Sequence, residues 1–284
     1  MKQSLFPLAG VALCLAGIAP MAAQVPDESP VPKVLMVVRE QIKEGREAAH
    51  AKTEEAWPRI YQKGNVQSHY LGMTSESGPS EAWFLVPYDS FAGMQKERAE
   101  IAQSPVAAGL EAANVLDGEL RTGSRTLLSV FRGDLSYRPA DAMSSMPKCR
   151  FMAVTVLRIK YGHDAELVQA AKLLIDGYEK SSSGQPVLAY QVVSGGPSGT
   201  YLLLSPMESL SSMDAAPARM EAARQAMGDR NRQHFDAIAP EVVQSGENLL
   251  FAFNPRISYL SKEFTGQDPG FWILKPAEPP KRKH

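Results

Sequence analysis

Apolar and branched residues gather along the chain in short runs, separated by charged, alanine-rich stretches of helical composition. "VLMVVREQI" (34–42) reads as a strand. "EGREAAHAKTEEAWPRIYQK" (44–63) has the composition of a helix. "NVQSHYLGM" and "EAWFLV" predict two short strands around the turn-forming "TSESGPS". A helical region follows from about Ser90 to Leu116, broken near Pro105, and "RTLLSVFRG" closes as a strand. The order β-α-β-β-α-β then repeats. "RFMAVTVLRIK" is a strand, "HDAELVQAAKLLIDGYEKS" a helix, and "PVLAYQVV" and "GTYLLL" are strands. A long helical region to about Val243 precedes the strand "ENLLFAF".

The repetition extends to individual residues. "GPSEAWFLVPYDSFAGM" (78–94) returns as "GPSGTYLLLSPMESLSSM" (196–213), and Ile42-Lys43-x-Gly45 returns as Ile159-Lys160-x-Gly162, 117 residues on. Leu127-Leu128 and Ser136-Tyr137 match Leu249-Leu250 and Ser258-Tyr259 at an offset of 122. An offset that grows only in loops and helix ends is what an old tandem duplication leaves. Gly-Pro-Ser makes a tight turn between the middle strands of each half. Ser205-Pro206-Met207-Glu208 predicts a capped helix start, with Asp89 as the cap in the first copy. In the same alignment Trp83 falls on Tyr201.

Both alternating faces of "FMAVTVL", "TYLLL" and "AWFLV" are apolar or nearly so. A sheet with one face in water would alternate, so the second face needs a cover. The other half's sheet, packed face to face, supplies it. The fold class expected is therefore α+β: a tandem duplication of a ferredoxin-like β-α-β-β-α-β unit, forming an intramolecular pseudo-dimeric barrel. Strand order, duplication and the "F-L-V-P-Y-D-S-F" strand-to-helix pattern resemble the dimeric α+β barrel superfamily, over roughly residues 33 to 260. NIPSNAP-like proteins, antibiotic-biosynthesis monooxygenases and chlorite dismutases belong to that group. The resemblance implies a ligand between a sheet and its helices or loops, often heme or an aromatic substrate. No residue here matches a family catalytic motif.

Composition narrows the picture. The formal charge of the 284 residues is −1, which gives no nucleic-acid footprint. Lys2, the apolar run "LFPLAGVALCLAGIAPMAA" and the small residues Ala22 and Ala23 form a secretory signal pattern, so an exported protein, periplasmic or secreted, is expected. Prolines and glycines interrupt that run, and no membrane span is expected. The expected organisation is a signal peptide at 1–23, a leader at 24–32, a first repeat at 33–138, a linker at 139–149, a second repeat at 150–260 and a C-terminal tail at 261–284. After cleavage only Cys149 remains, so neither a disulfide nor a cysteine metal cluster can form. No metal site is expected.

Nucleotide-binding, zinc-protease and nucleophile-elbow motifs are absent from the sequence. Candidates are therefore polar residues on apolar elements. His50, Thr53, Glu54, Trp57 and Tyr61 occupy the stripe that is apolar in the second half, where His50 falls on Leu167. His50 with Glu54 one turn on reads as an oriented base or a metal or heme ligand, or as a histidine hydrogen-bonded to Glu54 at a helix–sheet contact. His69 and Tyr70 share a strand, one toward the helices and one toward the barrel interior. Tyr190 occupies a similar place in the second half. Trp83 and Tyr201 lie on the third strands, and Arg39 and Arg158 near the ends of the first strands, suited to a carboxylate or propionate. The halves differ at these positions, so a pocket should be asymmetric. Three function classes follow: binding of a small apolar or aromatic molecule, a heme-dependent or cofactor-free oxygenase or isomerase, or a partner-binding protein without a pocket. Oligomeric state stays open, as does heme as a cofactor.

Overall fold

The computed structural model describes residues 30–274. The signal peptide, most of the leader and the end of the tail lie outside the described residues. Eight strands close an antiparallel barrel in the order β1-β3-β2-β8-β5-β7-β6-β4. They are β1 (Val34–Ile42), β2 (Leu71–Ser75), β3 (Glu81–Tyr88), β4 (Arg121–Phe131), β5 (Phe151–Ile159), β6 (Leu188–Ser194), β7 (Thr200–Met207) and β8 (Val243–Phe253). In the first half β1 lies between β3 and β4, and β2 flanks β3. In the second, β5 lies between β7 and β8, and β6 flanks β7. The expected face-to-face arrangement goes further than packing, because the two four-stranded sheets also join at their edges. Hydrogen-bonded pairs join β2 to β8 over Met73–Ser75 and β4 to β6 over Leu128–Phe131, which closes the ring of strands.

The interior explains why both strand faces are apolar. Leu35, Val37, Met73, Trp83, Leu127, Met152, Val154, Tyr190, Leu202 and Phe251 share one buried core. The opposite faces carry helices. α1 (Glu47–Glu54), α2 (Ala56–Lys63), α3 (Phe91–Gln103) and α4 (Ala107–Gly118) cover the first half. α6 (Asp164–Ser181), α7 (Ser211–Asp214), α8 (Ala216–Ala226) and α9 (Asp229–Val242) cover the second. Between the halves, α5 (Pro139–Ser145) and a short 3-10 turn close one barrel end together with the C-terminal α10 (Lys262–Thr265) and α11 (Pro269–Trp272). Trp272 donates its Nε1–H to the Pro147 carbonyl at 2.6 Å and joins the barrel core with Ala142 and Met146.

Three local expectations are corrected. Ser205 and Pro206 lie inside β7, not at a helix start, and the cap before α3 is Ser90, whose hydroxyl accepts from Gly93 N, not Asp89. Pro87 and Pro206 are tolerated near strand ends, where each faces a partner on one side only (Leu35 and Met152). Trp83 and Tyr201 are not equivalents. Trp83 opposes Arg39 and points inward, whereas the residue opposing the corresponding Val156 is Leu202. Tyr201 packs outward with Ile159 and Val242. A one-residue slip in the alignment reversed its face. The Gly-Pro-Ser turns do behave as read. Gly78, at φ +81°, turns β2 into β3, and Gly195 (+88°) and Gly199 (+76°) flank the second copy.

Candidate functional site

The outer face of the first half buries charge where the second half buries hydrocarbon. Glu40 sits on the outward face of β1, His50 and Glu54 on α1, and Asp117 at the end of α4. All four are buried, His50 and Asp117 to about 1 % exposure. His50 Nε2 lies 3.0 Å from Glu40 Oε2 and 3.3 Å from Asp117 Oδ1. Thr53 donates its hydroxyl to Asp117 Oδ1 at 2.9 Å. Arg121, opening β4, pairs with Glu40 and, at 2.8 Å, with Asp117. His50 is thus held by Glu40 and Asp117, not by Glu54 as its spacing implied. At the sequence offset of 117, Glu40, His50 and Glu54 correspond to Leu157, Leu167 and Ala171, which pack together in an apolar cluster. The fold can therefore be built without these polar groups.

Electrostatics follows from this crowding. Burial, then the Glu40 and Asp117 charges, push the Glu54 carboxyl up to about 9, against the opposing pull of Arg121. Asp117 is raised too, chiefly by burial, with His50 opposing. Glu54 therefore holds a proton at neutral pH, beside two carboxylates that share one guanidinium and one imidazole. Glu40, His50, Glu54 and Asp117 each present one donor atom, all within 4.8 Å of one another. This N/O set suits a divalent transition ion chemically, although Arg121 already occupies oxygens of Glu40 and Asp117. The absence of a cysteine cluster gave no hint of such a set.

Next to it lies a cavity of about 380 Å³ between the sheet and α2, α3 and α4. Trp57, Tyr61, Tyr70, Tyr88, Met36 and Leu110 line its walls, with Glu97, Arg98, Glu111 and Asn114 as polar members. Asn114 Oδ1 accepts from Arg121 at 2.9 Å, which ties the cavity to the buried cluster. Tyr61 meets Tyr70 edge-on at 5.5 Å. The Tyr70 hydroxyl and Trp57 Nε1 are buried and lack a hydrogen-bond partner among the described residues. Such groups are costly unless something satisfies them. Burial pushes the Tyr61 phenol up to about 12, and the Tyr70 phenol well above its usual range, with Glu54 adding to the latter.

The remaining candidates scatter. His69 stacks on Tyr259 at 5.2 Å; burial lowers its pKa, and Glu263 of α10 opposes that shift. Tyr190 is a core residue whose hydroxyl donates to the Pro32 carbonyl at 3.0 Å. Tyr201 donates to Asp164 at 2.5 Å on the helix side of the second half. Arg39 and Trp83 do meet inside the barrel: the guanidinium lies 4.4 Å from the ring centroid, and both bond Glu81. Arg158 takes an inward position on β5, across the barrel. Glu40, Asp117 and Arg121 escaped the sequence reading. The signal was available for Glu40, since the same offset sets it against Leu157.

Heme does not fit this site. No histidine lines the cavity, and His50 Nε2 is engaged by two carboxylates.

No family model matches the sequence, and no curated protein does. Solved structures do. An anthrone oxidase-like protein superposes with a TM-score of 0.51 at 13% identity, over 81% of this chain and 95% of its own. A monooxygenase-like protein of Fusobacterium nucleatum gives 0.50 at 11% identity, over 79% and 94%. Identities this low speak for the fold alone. With its closed antiparallel barrel and helices outside, the chain has the fold of the dimeric α+β barrel superfamily.

Proposed function

We propose that the first half binds a small aromatic molecule carrying a hydrogen-bonding oxygen, in the cavity between its sheet and α2–α4. The observation that carries this is an aromatic-walled cavity beside buried Tyr70 and Trp57 polar atoms that no group among the described residues satisfies. The second half serves as scaffold, since its corresponding positions are filled by Leu157, Leu167 and Ala171. Behind this asymmetry we place a tandem duplication, with repeats at 33–138 and 150–260, supported by the same pairing scheme in both halves.

A cofactor-free oxygenase or isomerase is the second reading. The protonated Glu54 and the carboxylate-held His50 favour it, because they can take up and deliver a proton away from bulk water. One titration serves both readings. 2-Naphthol should quench the fluorescence of Trp57 saturably and bind more tightly than naphthalene. Tyr70→Phe should remove most of that preference, about tenfold for one buried hydrogen bond. A quench that persists in Trp57→Phe, or no preference for the hydroxyl, would overturn the binding reading. Recovery of chemically altered naphthol would favour the enzyme.

Export belongs to the same proposal, on Lys2, the apolar run 5–23 and Ala22-Ala23. The mature chain from a secreting host should begin near Gln24, which intact mass measures directly; a retained Cys14 would contradict it.

A further inference from the structure

The two barrel ends are built differently. Around the ring each strand is antiparallel to its neighbour, and four steps separate β1 from β5. These two strands therefore run in the same direction, and their C-terminal ends open at the same barrel end. The other end is corked by Ala142, Met146 and Trp272. At the open end three inward positions on three strands carry arginine: Arg39 on β1, Arg125 opposite it on β4, and Arg158 on β5. Two inward carboxylates oppose them, Glu81 on β3 and Glu247 on β8.

The arginines are not equally occupied. Arg39 reaches both Glu81 oxygens, at 3.1 and 3.0 Å, and lies over Trp83, whose Nε1–H donates to Glu81 at 2.6 Å. The Arg125 guanidinium makes no hydrogen bond or ion pair among the described residues, although its backbone pairs with Arg39. Arg158 Nε is buried without a hydrogen-bond partner among the described residues. A cavity of about 310 Å³ opens between Arg39, Gln41, Glu81, Gly123 and Arg125.

We propose that this mouth is a second binding site, for a small aliphatic carboxylate. Glu81 is a carboxylate already held there, both its oxygens accepting from Arg39 Nη2 and one also from the Trp83 indole, so the wall suits a carboxylate. Arg125 supplies the free fork, and the rigid strand fixes its root. The negative charge of Glu81 tells against a phosphate dianion, which carries more charge into the same cavity. This site stands apart from the aromatic cavity, which lies on the outer face of the sheet.

The test is calorimetric titration of the full chain with succinate and, separately, with inorganic phosphate, at two temperatures. Succinate should bind more tightly than phosphate and weaken as salt rises. Arg125→Gln should raise its Kd about tenfold or more, the range of a charged hydrogen bond. Gln41→Glu, which adds a negative charge to the wall without touching Arg125, should weaken it as well. Arg125 is exposed, so circular dichroism melts of both variants should match the parent. Failure of succinate to bind at either temperature overturns the proposal. So does tighter binding of phosphate, or a Kd unmoved by both substitutions.

Discussion

Glu54 lies 4 % exposed between two other carboxylates, with almost no water to solvate a charge. Its folded pKa is about 9 against the ordinary 4.5, so between those values the folded state holds a proton that the unfolded state releases. The sign follows. The stability this group contributes is fully present below pH 4.5 and is lost as pH rises toward 9. Glu54→Gln keeps the shape and abolishes the titration. Urea unfolding at pH 5, 7 and 9 should show the parent losing ground to the variant with rising pH, by up to about 1.4 kcal/mol per pH unit. Parallel curves would mean that Glu54 does not hold the proton. At this scale the sequence was informative where the halves disagree. His50 and Glu54 stood out because they interrupt a stripe that is apolar in the second half. Glu40 lies in the polar run Arg39-Glu40-Gln41 and Asp117 just before Gly118, where solvated charges are ordinary, and only the offset to Leu157 marks Glu40. Only the packing of α1 and α4 over β1 brings them together.

Among the elements, legibility tracked burial. β1 and β5 were readable to within a residue because both their faces are apolar, one toward the barrel core and one toward the helices. β4 and β8 run several residues further toward the open end than "RTLLSVFRG" and "ENLLFAF" indicated, reaching Arg121 and Val243. Those extensions are mostly exposed, so nothing in their hydropathy marks them. Cross-strand hydrogen bonds to β1 and β5 hold them in place. The same reasoning covers "NVQSHYLGM": only Leu71 onward finds continuous partners, with Tyr70 joined to Tyr259 by a single bridge. The first helix divides at Glu55, three residues before Pro58. Proline is accommodated there because it falls in the first turn of α2, where its missing N–H has no partner to lose. The break turns α2 so that Trp57 and Tyr61 face the cavity. In the second half the corresponding stretch has no proline, and α6 runs unbroken for 18 residues. The asymmetry of the site therefore has a backbone cause as well as a side-chain one.

At the scale of the whole molecule, the barrel belongs to neither half. Leu35, Val37, Met73, Trp83 and Leu127 of the first sheet face Met152, Val154, Tyr190, Leu202 and Phe251 of the second. Both sheets also depend on the β2–β8 and β4–β6 seams for their edge hydrogen bonds. Residues 30–138 expressed alone would expose that apolar face and two open strand edges, a combination that drives self-association. Two such halves, however, can complement each other if the chain descends from a dimer of one unit. A second copy of β4 would then take the place of β8, and a second copy of β2 that of β6. The expected product is a homodimer with two aromatic cavities and two copies of the Glu40–His50–Glu54–Asp117 cluster, lacking the Trp272 cork at one end. Size-exclusion chromatography with light scattering gives the mass, and naphthol stoichiometry should rise from one site per full chain to two per dimer. Aggregation alone would still agree with a shared core but would leave the dimeric ancestry unsupported. A soluble monomer with a cooperative melt would contradict both, because such a chain would have buried its apolar face without the partner sheet that this barrel provides.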